Sequence, residues 1–546
     1  FVGVGASEDT VNRDSWGECT TTMLLNKEFL RELSLYLDQE SVLRLLTTCK
    51  PMNMLLKESL VYVKSDKSDV FRDYPALREA IFFGHQIDAY PPGLTSLDIW
   101  NFNNTDLIGL PKTLAHLKIQ SLVFCEDSGD GVDIYIDQSV YVPTTLTSLD
   151  VQCFQSTDQI SHLVNLESLS VKFFYDECTN FSLPKTLTNL KLGSDDYDAD
   201  KVNVRAALVW PALPETLKSF SMVIGFDDDA DVRMRDLPKG LTSLSIHGQN
   251  LAFDDDDSLN PGLLSLSTDM LMLADFKMLP ASLTRLETET HEPFKLVLKG
   301  VPPSVTHLTV VGAAHVAKFD KNFPKNIKTL RVMTRDIGRM KGCKHLPRTM
   351  TELSFGEFKT SMPVAQRYSW SSGSVTTTSD EIKNLPPALK TLAGVKVESS
   401  RRMHLDLSQF KSLTKMKQVH IDFSLVTLPE NLITFKGFVH PGVTFPDNLR
   451  KLILRGSNFS SILEGDHHWI ENLPKTLRKL EANRLEVSGD FGQMDSEIEI
   501  AVFDKVVTSR KYSEVMPLIF PRMWCFSSSN LDVHTHLDGS RWVLRG

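Results

Sequence analysis

LPKTLAHLKI (110–119) recurs along the chain as VPTTLTSLDV (142–151), LPKTLTNLKL (183–192), LPKGLTSLSI (237–246) and LPRTMTELSF (346–355). Looser copies fill the gaps, among them YPPGLTSLDI (90–99), LPASLTRLET (279–288), FPKNIKTLRV (323–332) and LPKTLRKLEA (473–482). Aligned on their proline, and with degenerate copies around Leu163, Asn260 and Phe410, they make about 17 units, most of them 19–24 residues apart. Self-similarity at a fixed short period is the mark of a solenoid, in which each unit packs on its neighbours. It argues against a compact enzyme domain and turns the question of function towards a binding partner.

Within a unit the core reads L-x-x-L-x-I/L/V, as in Leu114, Leu117 and Ile119. Leu117 and Ile119 are two apart, so both point to one face of a short strand, and the residues between them point to the other. Stacking such units predicts a parallel sheet with an apolar inner face and an exposed outer face. Proline suits the start of each strand, where its missing N–H breaks no ladder bond. The period lies in the range of leucine-rich repeats. More narrowly, VPPSVTHLTVVG (301–312) and LPRTMTELSFG (346–356) resemble the FNIP-type repeats of amoebal proteins, whose phrase is close to I-P-x-S-V-T-x-L-x-F-G. The Phe-Asn dipeptide of that family is mostly absent here. So is the regular asparagine of common leucine-rich repeats, and other contacts must then satisfy the turns.

Residues 24–60, LLNKEFLRELSLYLDQESVLRLLTTCKPMNMLLKESL, carry a helical period instead. Phe29, Leu30, Leu33 and Leu37 form one apolar stripe, and Val42, Leu45, Leu46 and Cys49 a second. Pro51 fits the first turn of a third helix. The segment resembles an F-box: Leu25, Glu28, Phe29, Leu33, Tyr36, Leu37, Asp38, Leu43, Leu45, Cys49 and Lys50 match that motif in order. Asn26 stands where the family has proline, and Met52-Asn53 where it often has tryptophan. A plain helical cap over the open end of the solenoid is the other reading of the segment.

The expected fold is therefore an α/β repeat solenoid with a curved parallel sheet. A tail or extension over 1–22 precedes the F-box-like helices at 23–64, a linker or cap at 65–89, the repeats at 90–483 and a C-terminal cap at 484–546. The F-box resemblance implies the substrate receptor of a Skp–cullin–F-box ubiquitin ligase, located in the cytoplasm or nucleus. Leu25, Phe29, Leu30, Leu33, Val42, Leu45 and Cys49 would then face the Skp adaptor, and a protein substrate would sit on the repeats. The alternative is an interaction scaffold unconnected to ubiquitin.

Composition sets further bounds. A net charge of −10 argues against a general nucleic-acid binder. Seven scattered cysteines without a C-x-x-C pair suggest neither a zinc site nor a disulfide framework, and fit a reducing compartment. FVGVGASEDT lacks the basic region and apolar run of a signal peptide. No run of 18 apolar residues predicts a membrane span.

Constellations that could carry chemistry are few. His534 and His536 form an H-x-H pair, but only ten residues follow to supply further metal ligands. Cys125-Glu126-Asp127 has the C-x-D form of bacterial leucine-rich ubiquitin ligases, but it lies in a loop within the array, and no helical catalytic domain follows. His467-His468 reads as a solvated loop. No catalytic residue, metal or cofactor is expected.

The outward strand positions are more informative. They are small and polar in the first half, as at Ser96, Asp98, Ser148, Asp150, Ser168 and Ser170. Later they become bulky and charged: Arg285, Glu287, His307, Arg331, Glu352, Lys451, Lys479 and Glu481. Arginine is enriched at binding hot spots and serine is not. Substrate contacts are therefore expected on units 280–355, through Arg285, Glu287, His307, Arg331 and Glu352. Three acidic runs follow their own strands: Asp195, Asp196, Asp198 and Asp200; Asp227, Asp228, Asp229 and Asp231; and Asp254, Asp255, Asp256 and Asp257. Stacked coils would bring them to one edge as an acidic ridge suited to cations or a basic segment.

Overall fold

The computed structural model describes residues 62–65, 77–82, 87, 89–100, 109–119, 142–154, 158–174, 183–193, 213–223, 232–233, 237–247, 251–252, 259–268, 278–289, 300–312, 319–334, 339–357, 375–398, 404–421, 423, 425–439, 443–454, 473–487, 498, 500–508 and 525–528. Contacts divide the chain into two compact units, Phe1–Gly262 and Leu263–Gly546. Each is a parallel β-solenoid of stacked coils of leucine-rich-repeat type.

The first unit stacks β1 (Tyr62–Ser65), β2 (Glu79–Phe82), β3 (Ser96–Ile99), β4 (His116–Ile119), β5 (Ser148–Phe154), β6 (Ser168–Phe174), β7 (Asn189–Leu192) and β8 (Ser219–Val223) in chain order. The short strands β9 (Val232–Arg233) and β11 (Leu251–Ala252) pair with each other, and β10 (Ser243–His247) extends the main ladder from β8.

The second unit begins with β12 (Ser265–Thr268), β13 (Arg285–Glu289), β14 (His307–Val311), β15 (Thr329–Thr334) and β16 (Glu352–Glu357). The long step from Pro347 to Pro386 carries β17 (Val375–Thr378). β18 (Thr391–Ala393) pairs with β16, and β19 (Val395–Glu398) with β17. β20 (Leu405–Asp406) pairs with β22 (Val426–Thr427) beside the main ladder. That ladder continues through β21 (Lys415–Ile421), β23 (Thr434–Val439), β24 (Lys451–Leu454), β25 (Lys479–Val487), β26 (Ile500–Thr508) and β27 (Cys525–Ser528).

The sequence phrase explains one coil. Pro111 cannot donate, but its carbonyl accepts the Leu114 N–H at 3.0 Å and closes a β-turn. The same bond recurs at Pro143, Pro184, Pro214 and Pro238. Leu114, Leu117 and Ile119 are buried, while His116 and Lys118 face outwards. This alternation holds in strand after strand, and the fully buried Phe220, Phe355 and Phe435 occupy inward positions of the same phrase.

Neighbouring coils are tied by one repeated contact. The Thr95 carbonyl accepts the N–H groups of both Ala115 and His116, at 2.8 and 3.0 Å. A side-chain ladder runs beside it and replaces the asparagine missing from the sequence. The threonine preceding each first leucine donates to the previous coil: Thr113 to the Leu94 carbonyl, Thr145 to Leu114, Thr186 to Leu166 and Thr216 to Leu187, at 2.8–2.9 Å. Where asparagine replaces threonine, its amide serves, as from Asn326 to Pro303 at 2.7 Å. Gly262 has no side chain to offer, and Asn260, two residues earlier, bonds the Leu241 carbonyl instead.

Two expectations change. The α/β class becomes nearly all β among the described residues, where α1 (Asp158–Ser161), α2 (Ser379–Lys383) and a 3-10 turn (Cys343–His345) are the named helices. There, tight Pro-x-x-Leu turns lead into the strands. Parallel strands also lie outside 90–483 in both units. β1 and β2 precede that range, and β26 and β27 follow within the stretch read as a cap. EIEIAVFDKVV (497–507) lacks the proline but keeps the alternation that makes a strand. The F-box-like helices lie outside the described residues.

The side-chain ladder should contribute measurably. Thr216→Val keeps the shape but removes the bonds to Lys185 and Leu187. It should cost about 1 kcal/mol and lower the urea midpoint, while Glu215→Ala on the same turn should not.

Candidate interaction surface

Register places the outward residues of the second unit in two rows. The first runs Arg285, His307, Thr329, Glu352, and the second Glu287, Thr309, Arg331, Ser354. The five residues singled out in the sequence thus share one face of β13–β16, about 14 Å across at the usual strand spacing. The side chains differ in availability. Arg331 is committed to Glu352, with Nη2 at 2.8 Å and Nε at 2.9 Å from the same Oε1. Arg285 is exposed and forms no ion pair among the described residues. Its neighbour His307 is half-buried, and Thr306 Oγ1 lies 2.9 Å from its Nδ1. Burial, then the Arg285 guanidinium, hold His307 below the usual imidazole range, against an opposing pull from Glu352.

In the first unit Ser96, Asp98, Ser148, Asp150, Ser168, Ser170, Ser219, Ser221, Ser243 and Ser245 are all half-buried outward positions. A groove of about 370 Å³ crosses β2–β5, lined by Glu79, Ser96, Asp98, His116, Lys118 and Asp150. Lys118 and Asp150 meet across it at 3.6 Å.

Other features are structural. Cys343 is buried and unbridged, and its thiol is pushed far up by burial and by Glu381. Burial pulls the Glu381 carboxyl upwards too. The N–H groups of Gly342 and Cys343 outweigh that and hold it below the usual carboxylate range. Glu381 thereby anchors the 3-10 turn to α2. A second hollow of about 350 Å³ lies at the proline edge, among Lys344, Arg348, Lys383, Asn384, Gln409 and Phe410. Among the described residues no group of three His, Cys, Asp or Glu side chains could hold a metal ion, and no helix is long and apolar enough to cross a membrane.

Other sequence candidates fall outside the described residues. They are the adaptor-facing set from Leu25 to Cys49, all twelve aspartates of the acidic runs, Cys125, His467, His468, His534 and His536. The sequence reading also missed a basic row at Lys415, Lys417 and Lys436. It lies in the degenerate phrases FKSLTKMKQV and NLITFKGFV, where the outward positions are hard to count.

No family model matches the chain, and no curated protein matches it. Among solved structures, CroV588, described as a novel circular LRR protein, aligns over 86% of this chain and 79% of its own, at 14% identity and a TM-score of 0.48. The fold assignment rests on the strand registers and not on that likeness.

The titration of His307 is a direct probe of this face. Its folded pKa is depressed, so the unfolded chain binds the proton more readily. The resulting stability is present above the unfolded pKa and is lost as pH falls through that value towards the folded one. In histidine-labelled NMR its midpoint should lie below about 6.5. Arg285→Ala should move it up part of the way; an unchanged midpoint would remove Arg285 as a cause.

Proposed function

We propose that the chain is a non-catalytic substrate receptor of a Skp–cullin–F-box ubiquitin ligase, working in the cytoplasm or nucleus. The repeated outward face of the solenoid carries this reading. It is a row of regularly spaced, half-exposed polar side chains on a scaffold whose apolar residues are consumed inside. Such a face suits a protein partner, and the F-box-like order of residues 24–60 supplies the link to the ligase. Leu25, Phe29, Leu30, Leu33, Val42, Leu45 and Cys49 dock the adaptor. Arg285, Glu287, His307, Arg331 and Glu352 contact the substrate, with Arg285 exposed and outside any ion pair among the described residues. The contribution to ubiquitin transfer is proximity, since the chain holds the substrate near the activated ubiquitin. Asn26, in place of the family's proline, favours the second reading, an interaction scaffold without a ligase.

Co-expression with a Skp adaptor separates the two. The wild-type chain should co-purify with the adaptor. Leu33→Asp should weaken that association at least tenfold while leaving the circular dichroism spectrum unchanged. A wild-type chain that does not retain the adaptor leaves the scaffold reading.

A further inference from the structure

We propose that the outward face of β21–β25, with the turns leading into it, docks an Asp- and Glu-rich segment of a protein partner. This rests on the reading of the sheet face as a partner-binding surface and names the chemistry of what binds there.

Register builds the surface. The first outward row runs Thr391, Lys415, Thr434, Lys451, Lys479, and the second Ala393, Lys417, Lys436, Ile453, Glu481. The turns into the same strands add Lys390, Arg450 and Arg478, all exposed. The turns also hold Lys411 and Lys475, and against them the carboxylates of Glu430 and Asp447, all exposed. The strand rows themselves set five lysines against one carboxylate, in a chain whose net charge is −10. That carboxylate, Glu481, lies 2.7 Å from Lys479 at the end of the row. Lys390, Lys415, Lys417, Arg450 and Lys451 enter no ion pair among the described residues.

The arrangement opposes folding. Lys417 is the direct register partner of Lys436, and Lys451 that of Lys479. Like charges directly opposite on neighbouring strands are destabilising. Solvation alone would be served as well by alternating signs, as at Lys118 and Asp150 in the first unit. The row also has a built floor. Ala393 and Ile453 are outward residues only 6% exposed; Ala393 lies beside Lys417, and Ile453 between Lys436 and Glu481. A bulge at Gln418, with φ 52°, breaks the register between Lys417 and Val419. It keeps His420 on the lysine face, where its ring stacks at 4.4 Å on Phe438.

The spacing selects the occupant. Lys415 and Lys417 are two residues apart on one strand, about 7 Å, and neighbouring strands add about 5 Å. Alternate side chains of an extended peptide have the same 7 Å spacing, so successive carboxylates can each meet one ammonium. Lysines spread over four strands suit separate single charges better than one dianion, which favours a convergent, bidentate arginine site. Nucleic acid fits less well. Single strands bind by stacking bases on several aromatic platforms. Here the described face offers one aromatic pair, whose rings already lie against each other at 37°.

Fluorescein-labelled deca-glutamate and the full chain test this by anisotropy. The wild type should bind saturably at low salt and much more weakly at 150 mM salt. Lys415→Ser/Lys417→Ser/Lys451→Ser should weaken binding at least tenfold. It should keep or raise the melting temperature, because it removes like-charge neighbours. Lys112→Ser, on an exposed turn of the first unit, should bind as the wild type does. Three results would overturn the proposal: no wild-type binding, equal binding by the triple variant, or displacement of deca-glutamate by a dT20 oligonucleotide at lower concentration than by unlabelled deca-glutamate. Self-association of the wild type that the triple variant abolishes would identify a second copy of the chain as the occupant, and would overturn it too. A chain that retains the Skp adaptor but ignores deca-glutamate defeats this inference alone. One that binds deca-glutamate without the adaptor defeats the ligase reading alone.

Discussion

One backbone oxygen per coil sets the geometry on which the rest depends. The carbonyl following the first leucine of each phrase accepts two N–H groups from the next coil. The Lys218 carbonyl, for example, takes Thr242 N–H at 2.9 Å, Ser243 N–H at 3.0 Å and the Thr242 hydroxyl at 3.1 Å. Three donors on one acceptor leave little freedom to slide by a residue. A one-residue slip would also turn every leucine outwards. The register is therefore held twice, by the carbonyl and by the apolar side chains, and strands 19–24 residues apart meet position for position.

That constraint separates stability from recognition. Inward positions carry the apolar burial, and positions flanking the turn carry the hydroxyl and amide ladder. The outward positions do neither, so their side chains can change from serine in the first unit to arginine and lysine in the second without disturbing the coil. The exceptions show where the outer face has been drawn into packing. Ser354, Ala393 and Ile453 point outwards yet are nearly inaccessible. Each is small or apolar, and each has a longer side chain as a register neighbour: Arg331 for Ser354, Lys417 for Ala393 and Lys436 for Ile453.

Much of this is legible in the ten-residue phrase, because two-residue alternation and a proline turn need only local information. The inward leucines, the outward rows and the parallel pairing all follow from it. What it does not show depends on contacts between coils. Arg331 and Glu352 are 21 residues apart and meet only because β15 and β16 are in register, so the sequence presents as two free charges what the structure makes an ion pair. The hydroxyl ladder was hidden for the same reason, since a threonine in a turn looks the same whether or not it reaches the previous coil. At Gln418 counting itself fails. Stepping by two from Lys417 puts Val419 outside, whereas the bulge returns Val419 to the core and leaves His420 beside Phe438. The strands β26 and β27 escaped for a different reason. β26 lacks the proline on which the phrases are aligned, although the alternation of EIEIAVF was present, and Pro521 stands one residue out of the phrase spacing before β27.

A fixed grid of outward positions, about 5 Å by 7 Å, also limits how such a surface can be specific. The backbone cannot close around a ligand, because every coil is locked to its neighbours. Discrimination must come from which side chains occupy adjacent grid points, and extended partners are read better than compact ones. The second unit shows both uses of the grid. At Arg331 and Glu352 opposite charges neutralise each other and rigidify the face, which reduces what they can offer a partner. At Lys417 and Lys436 like charges are set side by side. That weakens the coil stack and leaves a field that an incoming acidic chain can satisfy. Lys415, Lys417 and Lys451 enter no ion pair among the described residues, so a partner's carboxylates can supply their counter-charge. Only a partner with carboxylates at matching intervals supplies it with a defined register.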